Sequence, residues 1–104
     1  MTLNGRNGKR SSRIDVPRPS KFNGSHDSKA IENFLFQVED YLDIQNVIIE
    51  DLRIKAATTL LDGDAIAWWR RKRSDMERGQ CVIDTFDDFK IELCNYFMPK
   101  NAQR

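Results

Sequence analysis

Two adjacent tryptophans, Trp68 and Trp69, are the feature that most constrains how this chain can fold. Each large aromatic side chain can bury about 150–250 Å², and neighbouring positions of a helix differ by roughly 100° around its axis. A tryptophan pair on one helix therefore covers a wide arc of that helix. No other part of the 104 residues offers as much apolar area in so few positions, so we expect the remaining segments to pack around this pair.

The length and composition of the chain fit one small domain. A domain of 104 residues buries only about 60–65% of its unfolded surface, so its margin of stability is thin. The 17 basic and 16 acidic residues nearly cancel, and bulk charge therefore neither indicates nor excludes a nucleic-acid partner. Two cysteines, Cys81 and Cys94, are too few for a disulfide framework and are typical of reduced thiols in an intracellular protein.

No stretch of the sequence favours a membrane or a secretory route. A membrane-spanning helix needs about 18 or more consecutive apolar residues, and no run approaches that length. Residues 1–12 are polar and basic and lack the apolar segment of a signal peptide. We therefore expect a cytoplasmic protein, with a nuclear location left open, and no membrane partner.

Residues 1–18 lack apolar periodicity, and we predict that they form a flexible basic arm, disordered or extended. Their glycines, prolines and charges cannot bury enough surface to offset the entropy of ordering. Ile14 and Val16 are the apolar exceptions and are candidates to dock as an extended edge. The cations that are candidates for weak, sequence-independent contact with RNA are Lys9, Arg10, Arg13 and Arg18.

Four amphipathic stretches separated by short turns predict an all-α fold, a compact bundle of about four helices within residues 19–104. The expected helix starts or caps are, in order, Asp27 or Ser28, Glu50, Asp64 and Thr85. Gly63 is expected to stop the second helix, and Leu52 is expected on the inner face of that helix. The predicted core residues are Phe34, Leu35, Val38, Leu60, Leu61, Trp68, Trp69, Phe86, Phe89, Leu93 and Phe97.

Two phenylalanines lie off the helical stripes and join Ile14 and Val16 as candidate interface residues. Phe22 precedes Asn23-Gly24, which predicts an extended anchor that ends in a turn. Phe22 then either closes one edge of the core or contacts a partner. Phe36 interrupts the apolar stripe of the first helix, so it either marks a contact surface or is a single exposed apolar residue without a role.

The sequence offers no catalytic, cofactor or metal site, and we predict that the protein is not an enzyme. A catalytic triad needs a base beside a nucleophile, whereas the single histidine, His26, lies in a polar loop. The two cysteines lack the close spacing and the histidines of a zinc site. The basic run Arg70-Arg71-Lys72-Arg73 fits a solvated helix face near a helix C-terminus.

The order of these signals resembles the Gag domain of gypsy-class LTR retrotransposons, especially those of plants. The matching pieces are, in order, Pro19-Ser20-Lys21-Phe22-Asn23-Gly24, then Ala30-Ile31-Glu32-Asn33-Phe34-Leu35 with Val38-Glu39-Asp40-Tyr41, then Leu60-Leu61-Asp62-Gly63-Asp64-Ala65 before Trp68-Trp69, then Phe86-Asp87-Asp88-Phe89-Lys90 with Leu93 and Tyr96-Phe97-Met98-Pro99. The resemblance covers about residues 17–99. It implies that residues 19–104 form the N-terminal lobe of a capsid protein. Such a lobe is a small non-enzymatic domain of a transposable element that self-assembles into a virus-like particle around RNA.

Three functions are compatible with these residues. The first is a self-assembly module of Gag type, which associates weakly in isolation through repeated patches near Phe36 and the arm. The second is a host-adopted lobe that binds short apolar peptides beside its extended N-terminal segment, as the resemblance to neuronal Gag-derived proteins implies. The third is a weak, nonspecific nucleic-acid binder that uses the basic arm.

Overall fold

The computed structural model describes residues 16–100, which fold into four helices. The helices are α1 (Ser28–Ile44), α2 (Glu50–Thr58), α3 (Gly63–Glu77) and α4 (Phe86–Phe97). In this described range no β-strand occurs, and the prediction of an all-α bundle of about four helices is confirmed. Most of the predicted arm, residues 1–15, lies outside the described residues, and the boundary at residue 18 stays a prediction. None of these helices has the length and apolarity that crossing a membrane requires.

Side-chain caps explain where α1 and α4 begin, as predicted. At α1 the Asp27 carboxylate accepts a hydrogen bond from the backbone N–H of Lys29 at 3.2 Å. At α4 the Thr85 hydroxyl accepts from the N–H of Asp88 at 3.0 Å, and the Asp88 carboxylate accepts from the N–H of Thr85 at 3.2 Å. This reciprocal pair is a capping box, which satisfies two donors that the helix itself leaves unpaired.

The expected start of α3 is wrong, because Gly63 begins this helix instead of ending α2. Asp62 is the N-cap, and its carboxylate accepts from the N–H of Gly63 at 2.9 Å. The reason lies in a distant segment, since the carbonyl of Asn23 accepts from the N–H of Asp64 at 3.1 Å. Asp64 therefore lies in the first turn of the helix, with its amide directed to another part of the chain.

Trp68 lies at the centre of the core and is 1% exposed. Its ring centroid lies 5.7 Å from that of Phe97, 6.1 Å from that of Phe89 and 6.0 Å from that of Trp69. The indole N–H of Trp68 is buried and has no hydrogen-bond partner among residues 16–100. The other predicted core residues that are buried are Phe34, Leu35, Val38, Leu60, Leu61, Phe86, Phe89, Leu93 and Phe97.

Trp69 differs from the rest of the predicted core because it is only partly buried. Its ring meets Phe89 edge-on, with centroids 5.6 Å apart. Two successive helical positions point about 100° apart, so a helix that directs Trp68 to the centre of the bundle directs its neighbour to the margin. The pair thus covers the core and its edge together.

Replacement of Trp68 tests this arrangement. We expect Trp68→Ala to lower the free energy of unfolding by about 3–5 kcal/mol, because it leaves a large cavity. Trp68→Phe should cost less, since it keeps a ring and removes a buried donor that has no partner among residues 16–100. Urea denaturation followed by circular dichroism measures both changes.

The matched control is Trp69→Ala, which removes the same side chain from a partly exposed position. We expect a clearly smaller loss of stability than for Trp68→Ala, because less apolar area leaves the core. Equal losses for the two alanine variants would contradict the central place of Trp68.

Candidate protein-interaction site

Phe22 anchors the extended segment that precedes α1. Its N–H donates to the carbonyl of Leu60 at 2.8 Å, and its carbonyl accepts from the N–H of Asp62 at 2.8 Å, which forms a parallel bridge at the junction between α2 and α3. The ring stacks on Phe34 at 5.2 Å and meets Phe97 edge-on at 5.4 Å. Phe22 is 4% exposed, so it lies in the core, which is the first of the two alternatives predicted for it.

Gly24 explains how the segment can approach α3 so closely. It is buried and adopts a φ of +96°, which side chains other than glycine rarely tolerate. A Cβ atom at this position would lie 2.8 Å from the Cβ of Asp64 and 2.9 Å from the backbone nitrogen of Ala65. The predicted turn after Phe22 is therefore also a close contact between two distant parts of the chain.

An open groove of about 370 Å³ lies between this segment and α1. Its apolar lining includes Val16, Tyr41, Ile44 and Phe36, and the Phe36 side chain is 70% exposed. Two of the predicted interface residues, Val16 and Phe36, thus come together, whereas Ile14 lies outside the described residues. A second groove of about 300 Å³ follows the next residues of the segment along α1.

The two grooves show that the segment runs antiparallel to α1. Residues 16–20 border the C-terminal half of the helix, from Phe36 to Ile44, and residues 20–25 border its N-terminal half, from Ala30 to Gln37. The segment ends at the start of α1, where its last residue is the capping Asp27. On this segment Arg18, Lys21 and Asn23 are exposed.

A second exposed apolar surface lies at the start of α2 and consists of Ile48 and Ile49, which precede the helix, and Leu52 in its first turn. These side chains are 78%, 58% and 49% exposed, respectively. The inner side of the same helix is occupied by Ile54 and Ala57, which are buried. The expectation that Leu52 faces the core is therefore wrong. Because α2 has apolar side chains on two sides, the sequence alone does not decide which side packs inward.

The junction between α2 and α4 is held by carboxylates. Glu50 Oε1 accepts the N–H of Phe86 at 2.7 Å, across a separation of 36 residues. The Asp88 carboxylate accepts from the N–H groups of Asp84 and Thr85, and these two hydrogen bonds, that from Asp84 first, lower the pKa of Asp88. These carboxylates therefore bind backbone donors at the N-terminus of α4 and join it to the start of α2.

Two lysines of α3 and α4 form ion pairs between helices. Lys90 Nζ lies 2.8 Å from Glu39 Oε1 on α1, and the hydrogen bond to Glu39 raises the pKa of Lys90. Lys72 Nζ lies 3.1 Å from Glu92 Oε1, and the hydrogen bond to Glu92 raises the pKa of Lys72. Both lysines therefore stay protonated at neutral pH, and neither is set up as a base or a nucleophile.

Three residues have catalytic potential by their chemistry, namely His26, Cys81 and Cys94. His26 Nδ1 lies 2.9 Å from the carbonyl oxygen of Phe97, so this nitrogen contacts the backbone at the end of α4. Cys81 and Cys94 are free, and burial raises the pKa of the Cys94 thiol, which disfavours the reactive thiolate. In residues 16–100 no group of three His, Cys, Asp or Glu side chains is arranged to hold a metal ion.

The predicted RNA contacts are placed only in part. Arg18 is exposed beside the first groove, and Lys9, Arg10 and Arg13 lie outside the described residues. On α3, Arg71 reaches the hydroxyl of Tyr96 at 3.5 Å.

A comparison with known protein families finds a match over most of the chain. A family model described as the N-terminal capsid-like domain of retrotransposon-derived protein PEG10 matches residues 13–98. This range includes all four helices and the anchored segment before them. No curated protein and no solved structure matches the chain.

The lowered pKa of Asp88 predicts how stability changes with pH. The folded carboxyl has a lower pKa than the unfolded one, which is about 3.9, so its stabilising contribution is complete above the unfolded pKa and is lost as the pH falls through the folded pKa. We therefore expect Asp88→Asn to be less stable than the parent at pH 7. This difference should shrink at acidic pH, as thermal denaturation at several pH values can measure.

The control for this variant is Asp87→Asn, which removes a carboxylate from the same helical turn. Asp87 pairs with Lys90 at 3.3 Å and is 78% exposed, so its loss should have a smaller effect at pH 7. A constant gap between Asp88→Asn and the parent from pH 7 to below the folded pKa would contradict the capping account.

Proposed function

The chain belongs to the family of retrotransposon-derived N-terminal capsid-like domains, and we propose that it is a non-enzymatic structural module that associates with copies of itself. The observation that carries the proposal is the family match over residues 13–98. The resemblance to a retrotransposon Gag capsid domain is thereby supported. The finer assignment to the gypsy class and to plants stays a prediction.

The distribution of apolar side chains supports self-association. In the described part of the chain, large apolar residues remain exposed on helices and in loops outside the core. They are Phe36, Ile44, Ile48, Ile49, Leu52, Val82, Ile91 and Tyr96. Scattered apolar residues are common on protein surfaces, but here three of them, Ile48, Ile49 and Leu52, lie within five residues of the chain at the start of α2. Patches of this kind suit subunits that repeat the same weak contact many times.

Sedimentation tests the proposal directly. We expect the weight-average mass of the chain to rise with concentration between about 10 µM and about 1 mM, which is the range of weak interfaces. The association should strengthen at moderate salt if apolar contacts dominate, and weaken if charges dominate. A mass that stays at 12.2 kDa over the whole range would contradict self-association of this chain.

The groove beside residues 16–20 favours a second candidate function, the binding of a short extended peptide. Its open lining combines the exposed Phe36 with Tyr41 and Ile44, and Asp40 and Arg18 add charges of both signs. Recognition sites for extended peptides commonly pair an apolar floor with a few polar groups at the rim. We infer that an apolar peptide with one charged residue would fit this groove better than a polar one.

Titration with apolar peptides, followed by NMR chemical shifts, tests the peptide candidate. We expect shifts at Tyr41 and Ile44, and Phe36→Ser should weaken binding because the exposed ring is the largest apolar group at the rim. Val82→Ser is the matched control, since Val82 is as exposed as Phe36, at 70%, and does not line the groove. Equal weakening by both variants, or no shifts in the groove, would contradict the proposed site.

A further inference from the structure

Three arginines of α3, Arg70, Arg71 and Arg73, carry charges that no carboxylate of residues 16–100 pairs with. Ion pairs do engage the neighbouring Lys72 and cations elsewhere in the bundle, which are Arg53, Lys55, Arg78 and Lys90. Acidic residues outnumber basic ones in this range of the chain. Three adjoining cations without an ion pair are therefore a local concentration of positive charge on a domain that is otherwise acidic.

Helical geometry directs these arginines away from the core. Relative to the buried Trp68, positions 70, 71 and 73 lie about 200°, 300° and 140° around the helix axis, and all three residues are exposed. The acids near them on α3 are Asp75, which pairs with Arg78, and the exposed Glu77, one turn beyond Arg73. The arginines thus outnumber the carboxylates that can oppose them.

Tyr96 of α4 places an exposed aromatic ring beside this charge. Nη2 of Arg71 lies 3.5 Å from the Tyr96 hydroxyl oxygen, although the two residues are 25 positions apart in sequence. The ring centroid lies 4.8 Å from that of Phe97 and 6.2 Å from that of Trp68, while 51% of the residue stays exposed. The core therefore holds this ring in position next to a guanidinium, and little conformational entropy remains to be lost when a ligand binds.

We propose that the surface formed by Arg70, Arg71, Arg73 and Tyr96 binds single-stranded nucleic acid. Guanidinium groups match the geometry of phosphate oxygens, and exposed aromatic rings stack on unpaired bases. The arginines contact the phosphates, and the ring of Tyr96 stacks on one base. A duplex keeps its bases stacked on one another, and a membrane or an acidic protein surface offers no such ring, so the combination of charge and ring favours a single strand.

This surface is separate from the cations that the sequence predicts as RNA contacts. Arg18 lies beside the groove along α1, whereas the three arginines lie on α3. The new contact therefore goes beyond both the predicted arm and the proposed self-association. Its affinity should be weak and independent of sequence, because every base has a face that can stack and few phosphates are contacted.

Fluorescence anisotropy with a labelled oligo(U) or oligo(dT) strand of about 12 nucleotides tests the arginines in the full chain. We expect a dissociation constant of about 10–100 µM at low salt. The double variant Arg70→Gln/Arg73→Gln should raise it about tenfold and should reduce the slope of log affinity against log salt by about 0.7 for each arginine removed.

The matched control is Lys29→Gln/Lys55→Gln, which removes two exposed cations from α1 and α2. It changes the net charge by the same amount, so its dissociation constant should stay within about twofold of the parent if the site is local and not a property of overall charge. Circular dichroism should show an intact fold in both double variants, because all four side chains are exposed.

A second measurement tests the ring of Tyr96. We expect its ring proton resonances to shift upfield when either strand is added to the parent, because a stacked base lies over the ring. Tyr96→Leu should raise the dissociation constant about fivefold, whereas Tyr96→Phe, which keeps the ring, should stay within about twofold. The shift in the parent does not depend on whether Tyr96→Leu keeps its fold.

Binding of either strand with these losses supports the inference, and the tighter strand shows whether RNA or DNA is preferred. The inference is overturned if the parent binds neither strand, if Arg70→Gln/Arg73→Gln binds like the parent, or if the Tyr96 resonances do not shift. Vesicles that contain phosphatidylserine provide the competing anionic surface. Binding of the vesicles without binding of the strands also overturns it and assigns the arginines to a membrane surface.

Discussion

Burial of the Trp68 ring is the interaction on which the rest of the structure depends. It brings α3 against three aromatic residues of α4, namely Phe89, Tyr96 and Phe97. A small domain has a total stability of only about 5–15 kcal/mol, and a side chain of this size accounts for a large part of it. Among residues 16–100 the buried indole N–H of Trp68 has no hydrogen-bond partner, so apolar packing decides the position of the ring within this range.

The second element of the architecture is the chain segment around Phe22, which connects parts of the bundle that are far apart in sequence. One residue contacts α1 through Phe34, α4 through Phe97 and the junction between α2 and α3 through the backbone of Leu60 and Asp62. The segment also forms one wall of the groove along α1. Stability and a candidate binding surface are therefore built from the same few residues, and a change in the segment affects both.

The sequence predicts those features that depend on local or periodic information. Apolar spacing identifies four helices, and side chains such as Asp27 and Thr85 identify helix starts, because a cap acts within a few residues. The features that sequence reasoning misses depend on distant contacts. The orientation of Leu52, the hydrogen bond from Phe86 to Glu50 and the role of Asp62 are all set by segments that lie elsewhere in the chain. A Glu at the start of a helix signals a favourable dipole, but nothing nearby shows that it caps another helix.

The bridge between Phe22 and Leu61 also has a consequence for the kinetics of folding. Closing the loop from Phe22 to Leu61 costs conformational entropy before the bridge contributes any stabilising energy. The sequence separation between these two residues is long for a small helical protein. Phe22 docks against a surface that exists only once α1, α4 and the turn after α2 have come together. The segment can therefore dock fully only on an assembled bundle, because the surface that receives Phe22 is made of residues from all of these parts.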